Sequence, residues 1–458
     1  MLPEKFTEKM KKLLGKDYSK FAEAIENESA VRGLRINTLK CTREDFLRNN
    51  TLPISPLEYT DTGFILSSDE QVGRLAEHHS GRIYMQDPGA MAPLSAVNIP
   101  KGARVVDMCA APGGKSGQAA AMIGEDGFLL SNEFVPKRAK ILVGNLERLG
   151  VRNALVTSMD TGRLAELFEE YFDFAIVDAP CSGEGMFRKN SLASDEWSED
   201  AVKICRERQK EILANAARLV KEDGYIIYST CTYSPEENEE VIDAFLFSHT
   251  NFSPVELSEK IIAATAPPIV LGTREENVKY ARRFYPHISK GEGQFLALLH
   301  KNSSDLTTKV CKDVSKPLSK AELSAVKDFF KANLSEEPKA RLSKVSENVV
   351  LLPESIPAVP EHSVFMAGVL VGEIQKGRLI PAHQLFSAYG ELFKTKVELS
   401  QNGEALDKYL SGEEIDAPKD AENGYCVITY HGSVLGGGKI ANGKIKNHYP
   451  KGLRNRKL

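Results

Sequence analysis

Between residues 80 and 300, short apolar runs alternate with helical stretches, and this alternation restricts the chain more than any other feature. Runs without a polar face read as strands buried on both sides, and strands separated by helices read as a parallel sheet covered on both faces. The predicted strands are 104–108, 127–132, 154–157, 172–177, 224–228 and 295–299, with helices such as 136–149 and 200–220 between them. The fold class expected for this part is therefore α/β with a Rossmann-like sheet. Ligand chemistry in such sheets gathers at the carboxyl ends of the strands. Two of those ends are marked: Asp178-Ala179-Pro180-Cys181 and Ser229-Thr230-Cys231-Thr232. A free cysteine taken alone is more often a small buried hydrophobe than a reagent. Two thiols and a carboxylate at strand ends suggest covalent chemistry on an electrophilic ring.

The first strand runs into Asp107-Met108-Cys109-Ala110-Ala111-Pro112-Gly113-Gly114-Lys115-Ser116. Small residues let backbone approach a ligand, and a glycine pair opens a helix whose free N–H groups bind polar atoms. A phosphate-binding P-loop needs glycine where Cys109 stands, and the dinucleotide fingerprint Gly-x-Gly-x-x-Gly is absent. The glycine turn of enzymes that bind S-adenosylmethionine (SAM) remains. Glu133 ends the second predicted strand, where an acid would grip ribose hydroxyls. Asp160 ends the third, either as an acceptor for adenine or as the cap of a helix over 161–168.

Carbon 5 of cytosine accepts a methyl group only after a thiolate has added to carbon 6. Cys231, Asp178 and Cys181 supply the residue types that chemistry needs. Ser234-Pro235-Glu236-Glu237 reads as a capping box with proline at the first helical position, which would set Cys231 just ahead of a helix N-terminus and favour its thiolate.

The motifs together resemble the Sun-type RNA (cytosine-5)-methyltransferases, and within them the bacterial branch that modifies small-subunit ribosomal RNA (RsmF/YebU-like). The resemblance is nearly full-length. It rests on Arg35-Ile36-Asn37-Thr38, Gln86-Asp87-Pro88-Gly89-Ala90-Met91, 107–115, 178–181, 228–238, 287–295 and Lys446-Asn447-His448-Tyr449-Pro450-Lys451-Gly452. It implies Cys231 as nucleophile, Cys181 as the residue that releases the product, and Asp178 as a contact to base and cofactor. DNA cytosine-5 methyltransferases attack with a Pro-Cys cysteine, so Cys181 is the rival nucleophile. The resemblance also implies that Cys109, Ala110, Ala111, Pro112, Gly113, Gly114, Lys115, Glu133, Asp160 and Asp178 hold SAM.

The 458 residues suit about three or four domains. The expected division is an N-terminal RNA-binding extension (1–75), the catalytic domain (76–300), a polar linker (301–320), a small α+β domain (321–390) and a PUA-like β domain (391–458). Seven Lys/Arg and no acid fall within 439–458 of an otherwise acidic chain, a phosphate-contacting surface or a solubilising tail. Arg35, Arg188, Lys189, Arg282 and Arg283 are further candidate RNA contacts. Seven scattered cysteines lack disulfide or metal-ligand spacing, so a reducing cytoplasm and no metal are expected. No run is long enough for a membrane span. The expected partner is 16S rRNA, met within the 30S subunit, with no DNA and no membrane, and the chain is expected to be a monomer. Two rivals remain open: the same reaction on tRNA, and a non-catalytic RNA-binding assembly factor.

Overall fold

A computed structural model describes residues 2–189, 191–401 and 403–455. Nine strands form the central sheet: β1 (Arg104–Asp107), β2 (Phe128–Asn132), β3 (Ala154–Thr157), β4 (Phe172–Asp178), β5 (Val220–Thr230), β6 (Phe252–Val255), β7 (Arg282–Phe284), β8 (Gln294–Lys301) and β9 (Val364–Ala367). Their order is β6-β8-β5-β4-β1-β2-β3-β9, with β7 paired to β8. The stretch β5-β4-β1-β2-β3 is parallel, and β8 and β9 run antiparallel to it. Successive strand residues feed opposite faces. Val106, Ala175 and Val177 enter one core, while Val105, Phe174 and Ile176 enter the other. Chain order reverses at β1, between β2 and β4, and this opens the cleft at the strands' carboxyl ends.

Four helices matter to the site: α1 (Gly114–Ile123), α2 (Pro136–Leu149), α3 (Thr161–Leu167) and α4 (Glu199–Leu219). Proline at its start and left-handed Gly150 at its end delimit α2, and the Ser198 hydroxyl caps α4.

Ahead of the sheet, two helices (Glu4–Leu14 and Tyr18–Glu26) bury Phe6, Met10 and Phe21 against Phe187, Tyr233 and Tyr285 of the catalytic domain. A four-stranded sheet that includes Arg32–Ile36 follows. Beyond the central sheet lie a four-stranded unit between Arg341 and Pro381 and a five-stranded β unit between Lys396 and Asn447. In the latter, a Cβ on Gly437 would sit 2.4 Å from the Phe386 ring, which accounts for part of the Gly436-Gly437-Gly438 run.

Three features depart from the sequence expectation. β9 comes from the segment beyond 320, yet it edges the catalytic sheet through Met366 beside Val156. The polar stretch 301–320 lies against the catalytic domain: Lys301 is buried on Glu170, and Lys309–Val310 pairs with Phe168–Glu169. Its ammonium group and unpaired backbone find partners there, so polar composition does not make it a free tether. β5 also starts earlier than expected, at Val220, through an irregularity before Tyr225.

Candidate active site

β4 and β5 run in register with Asp178 beside Ser229, and Ala179 N–H donates to Ser229 O at 2.8 Å. The two loops that follow therefore leave the sheet side by side. They bring Cys181 Sγ and Cys231 Sγ to 3.1 Å, both thiols free and partly exposed. The contact with Cys231 and burial push the Cys181 thiol well above its ordinary value. Asp178 Oδ1 accepts from Ser229 Oγ at 2.7 Å and from Gln294 Nε2 at 3.4 Å. Its Oδ2 lies 2.8 Å from Lys115 Nζ, which reaches across from the first turn of α1. The two sequence motifs thus meet the glycine turn at one point.

That turn is held from several sides. Gly113 takes φ +113°, a conformation glycine adopts without a Cβ penalty. Ala111 O accepts from Arg138 Nη2 at 3.0 Å and Pro112 O from Asn145 Nδ2 at 2.8 Å, so α2 fixes both carbonyls. Beneath it, Ser116 Oγ donates to Asp107 Oδ2 at 2.7 Å, and burial pushes the Asp107 carboxyl up to about 7. Burial likewise pushes the Cys109 thiol up. Ala110 lies within the turn, its N–H on Asn132 O at 2.9 Å.

Glu133 is nearly buried at the end of β2, accepting from Val135 N–H and Arg138. Asp160 is exposed, and its Oδ1 caps α3 through Gly162 N–H at 2.8 Å. Three residues at this site escaped the sequence reading. Phe134, next to Glu133, is 67% exposed. Gln294 reaches Asp178, and Glu237 joins the two cysteine loops. A phenylalanine directly after the acid was the signal available for Phe134, and the sequence pattern around Glu237 pointed to a helix cap instead.

Two expectations are corrected. The capping box does not form: residues Pro235–Glu237 make a single 3-10 turn, and Ser234 has no capping bond. Ser234 Oγ donates to Glu184 Oε1 instead, and Glu237 turns inward to Ser182. The buried donors there outbid the local cap. Several predicted RNA contacts are struts. Arg35 (1% exposed) donates to Gln86 Oε1 and Gly114 O, supporting the glycine turn from the N-terminal unit. Arg188 forms a buried pair with Glu292, Arg283 one with Glu239, and Lys189 is spanned by Asp87. Arg282 donates to Ile262 O and Thr265 Oγ1. Each guanidinium is satisfied by a carboxylate or carbonyl remote in sequence. Of the basic tail, Lys439, Lys444, Lys446, Lys451 and Arg454 are described, Lys444 pairing with Asp416; Arg456 and Lys457 lie outside the described residues.

An open sheet of this order, with a glycine turn after its central strand and acids closing the next two, defines a methyltransferase-type α/β fold carrying a two-cysteine site. The family model "16S rRNA methyltransferase RsmB/F" matches residues 95–300. Models for the RsmF N-terminal domain, first C-terminal domain and PUA domain match 2–88, 328–388 and 394–455. Ribosomal RNA small subunit methyltransferase F of Vibrio vulnificus is 30% identical, over 99% of this chain and 97% of that one. Its namesake in Vibrio campbellii is 31% identical with the same coverage. A solved methyltransferase homologue from Pyrococcus horikoshii is 29% identical at a TM-score of 0.57, over 65% of this chain and 95% of that chain. The chain belongs to the RsmF family of 16S rRNA methyltransferases.

Proposed function

We propose that the protein methylates carbon 5 of a cytosine in 16S rRNA, using SAM and a covalent bond between Cys231 and carbon 6. The observation that carries this reading is the 3.1 Å approach of the two thiols beside the Asp178–Lys115 pair. A target base in a duplex has to be extruded, because carbon 6 is attacked from above the ring. Cys231 Sγ, as thiolate, adds to carbon 6, and the negative charge that develops on ring nitrogen 3 is met by the Lys115 ammonium, which Asp178 holds beside the base. SAM, when bound at the glycine turn, supplies the electrophilic methyl group. Once its own proton has passed to solvent, the Cys181 thiolate takes the carbon-5 proton; that C–H electron pair closes the 5,6 double bond, and Cys231 leaves as thiolate.

The donor set fits SAM. The N–H groups of Gly113, Gly114 and Lys115 open α1 toward polar atoms, and the backbone of Cys109, Ala110, Ala111 and Pro112 shapes the approach. Glu133 is a carboxylate for ribose hydroxyls, and Phe134 offers a ring face to adenine. Asp160 spends only Oδ1 on its cap.

The substrate reading rests on the RsmF domains at both ends of the chain, including the PUA unit that carries the basic residues 439–454. Units 1–75, 76–300, 321–390 and 391–458 are proposed to act together on RNA in the assembled 30S subunit, as a cytoplasmic monomer. Among the described residues, no helix is long and apolar enough to cross a membrane and no cluster of ligands could hold a metal ion.

The test incubates the enzyme and methyl-labelled SAM separately with naked 16S rRNA, 30S subunits and tRNA, then maps 5-methylcytosine. Label in ribosomal RNA, abolished in Cys231→Ala and trapped as a protein–RNA adduct in Cys181→Ala, is expected. Label confined to tRNA overturns the substrate, and the reverse cysteine pattern exchanges the two roles.

A further inference from the structure

Glu237 is fully buried, and no cation pairs with it among the described residues. Neutral donors surround it instead. Its Oε1 accepts from the Ser182 hydroxyl and from Thr232 Oγ1 at 3.4 Å. Its Oε2 accepts from Ser182 N–H at 3.0 Å and Gln209 Nε2 at 2.8 Å. Gln209 is fully buried on α4, and the same Nε2 donates to Pro180 O at 2.9 Å. The backbone is therefore tied immediately before and immediately after Cys181, from α4 on one side and from the turn beyond β5 on the other. Glu237 itself reaches Thr232, next to Cys231, only through the 3.4 Å contact, with Ser182 Oγ 3.0 Å from Thr232 Oγ1 between them, and the Cys231 carbonyl is held separately by Gly185 N–H at 2.9 Å. An unpaired buried carboxylate is expensive to desolvate, and apolar packing is the cheaper way to fill such a space. When ionised it is acceptor-only, which is what the converging donors require, whereas an amide in its place opposes donor to donor.

We propose that Glu237 and Gln209 form a bracket that positions the Cys181 sulfur to remove the carbon-5 proton as thiolate, and that Glu237 serves this release step rather than the attack by Cys231. The proposal rests on the assignment of attack to Cys231 and release to Cys181. Both are positioning residues, since neither touches the reacting atoms. A misplacement of about 1 Å in a reacting group costs on the order of a hundredfold in rate.

The experiment separates the two steps by quenched flow with a 16S rRNA fragment and SAM, measuring covalent adduct formation and adduct decay. In Glu237→Gln, adduct formation is expected within about threefold of the parent, while decay slows by roughly ten- to a hundredfold. Gln209→Leu should slow decay in the same direction, and it carries the test if Glu237→Gln does not fold. The double variant Glu237→Gln/Cys181→Ala should retain no more adduct than Cys181→Ala alone, because both changes act on one step. A merely structural role would instead depress both steps together and lower the melting temperature in proportion. Decay at the parental rate in both single variants, equal slowing of both steps, or additivity in the double variant overturns the bracket. Absence of any adduct in the parent and in Cys181→Ala overturns the underlying cysteine assignment instead.

Discussion

Replacing Arg283 with Met separates two roles that charge alone does not distinguish. In the structure its side chain is 2% exposed and its partner Glu239 is 0% exposed. Arg283 Nε donates to Glu239 Oε1 at 2.6 Å, Nη2 donates to Oε2, and Nη1 donates to Tyr233 O at 2.7 Å. Without the guanidinium, Glu239 keeps only the Ile269 N–H at 2.9 Å, and the Tyr233 carbonyl loses its donor two residues past Cys231. Removing one partner of a buried pair costs about 3–5 kcal/mol. A domain of roughly 200 residues shifts its melting temperature by about 2–4 °C per kcal/mol, so a drop of roughly 6–20 °C is expected by scanning calorimetry. Arg283→Met/Glu239→Leu removes both charges and should recover most of that loss. A surface phosphate contact behaves differently: stability stays within about 0.5 kcal/mol, and the dependence of log K for RNA on log salt loses close to one unit of slope. An unchanged melting temperature with a shallower salt slope would refute the strut and restore Arg283 to the RNA interface.

Gly113→Ala places a Cβ 3.0 Å from Leu142 Cδ1 at φ +113°, straining the turn by about 1–3 kcal/mol. Binding of S-adenosylhomocysteine, measured by titration calorimetry, should weaken roughly ten- to a hundredfold; unchanged affinity would separate the turn from the cofactor. Asp107 is held up to about 7 by burial, so its protonated form favours the folded state. Its contribution is whole below about pH 4 and is lost as pH climbs through about 7, at about 1.4 kcal/mol per unit. Glu147 and Glu237 are also raised to about 7 by burial, so Asp107→Asn should flatten only part of the fall in melting temperature between pH 5 and 8. An unaltered slope counts against the buried carboxyl. Tyr449→Phe removes the 2.7 Å bond to His79 Nδ1 that joins the last β unit to the N-terminal one. At about 1 kcal/mol, amide exchange across 433–449 should quicken roughly fivefold, and no change would show that the contact contributes nothing.

What the sequence made legible and what it concealed divide along one physical line. A strand buried on both faces is a continuous apolar run wherever it occurs, so 104–108, 154–157 and 172–177 could be read locally. The glycine turn was readable for the same reason, because a left-handed Gly113 is needed by the backbone of that turn itself. β9 was hidden because its partner, Ala154–Thr157, lies some two hundred residues earlier, and four apolar residues do not say which edge they complete. Arg35, Arg188 and Arg283 read as candidate RNA contacts because arginine ordinarily stays exposed to water. Glu292, from the loop before β8, and Glu239, at the start of the helix Glu239–Ser248, reverse that preference for Arg188 and Arg283, as Gln86 and the Gly114 carbonyl do for Arg35. Glu237 is the sharpest case. Three residues after Ser234 it matches the capping pattern completely, yet Ser182 and Gln209, 55 and 28 positions away, take its oxygens. A local motif states what a side chain can bond, whereas the fold decides which donors arrive, and for a buried carboxylate the arriving donors carry the larger energy. That is why the cysteines and the glycine turn were found from sequence while the groups that hold Cys181 in place were not.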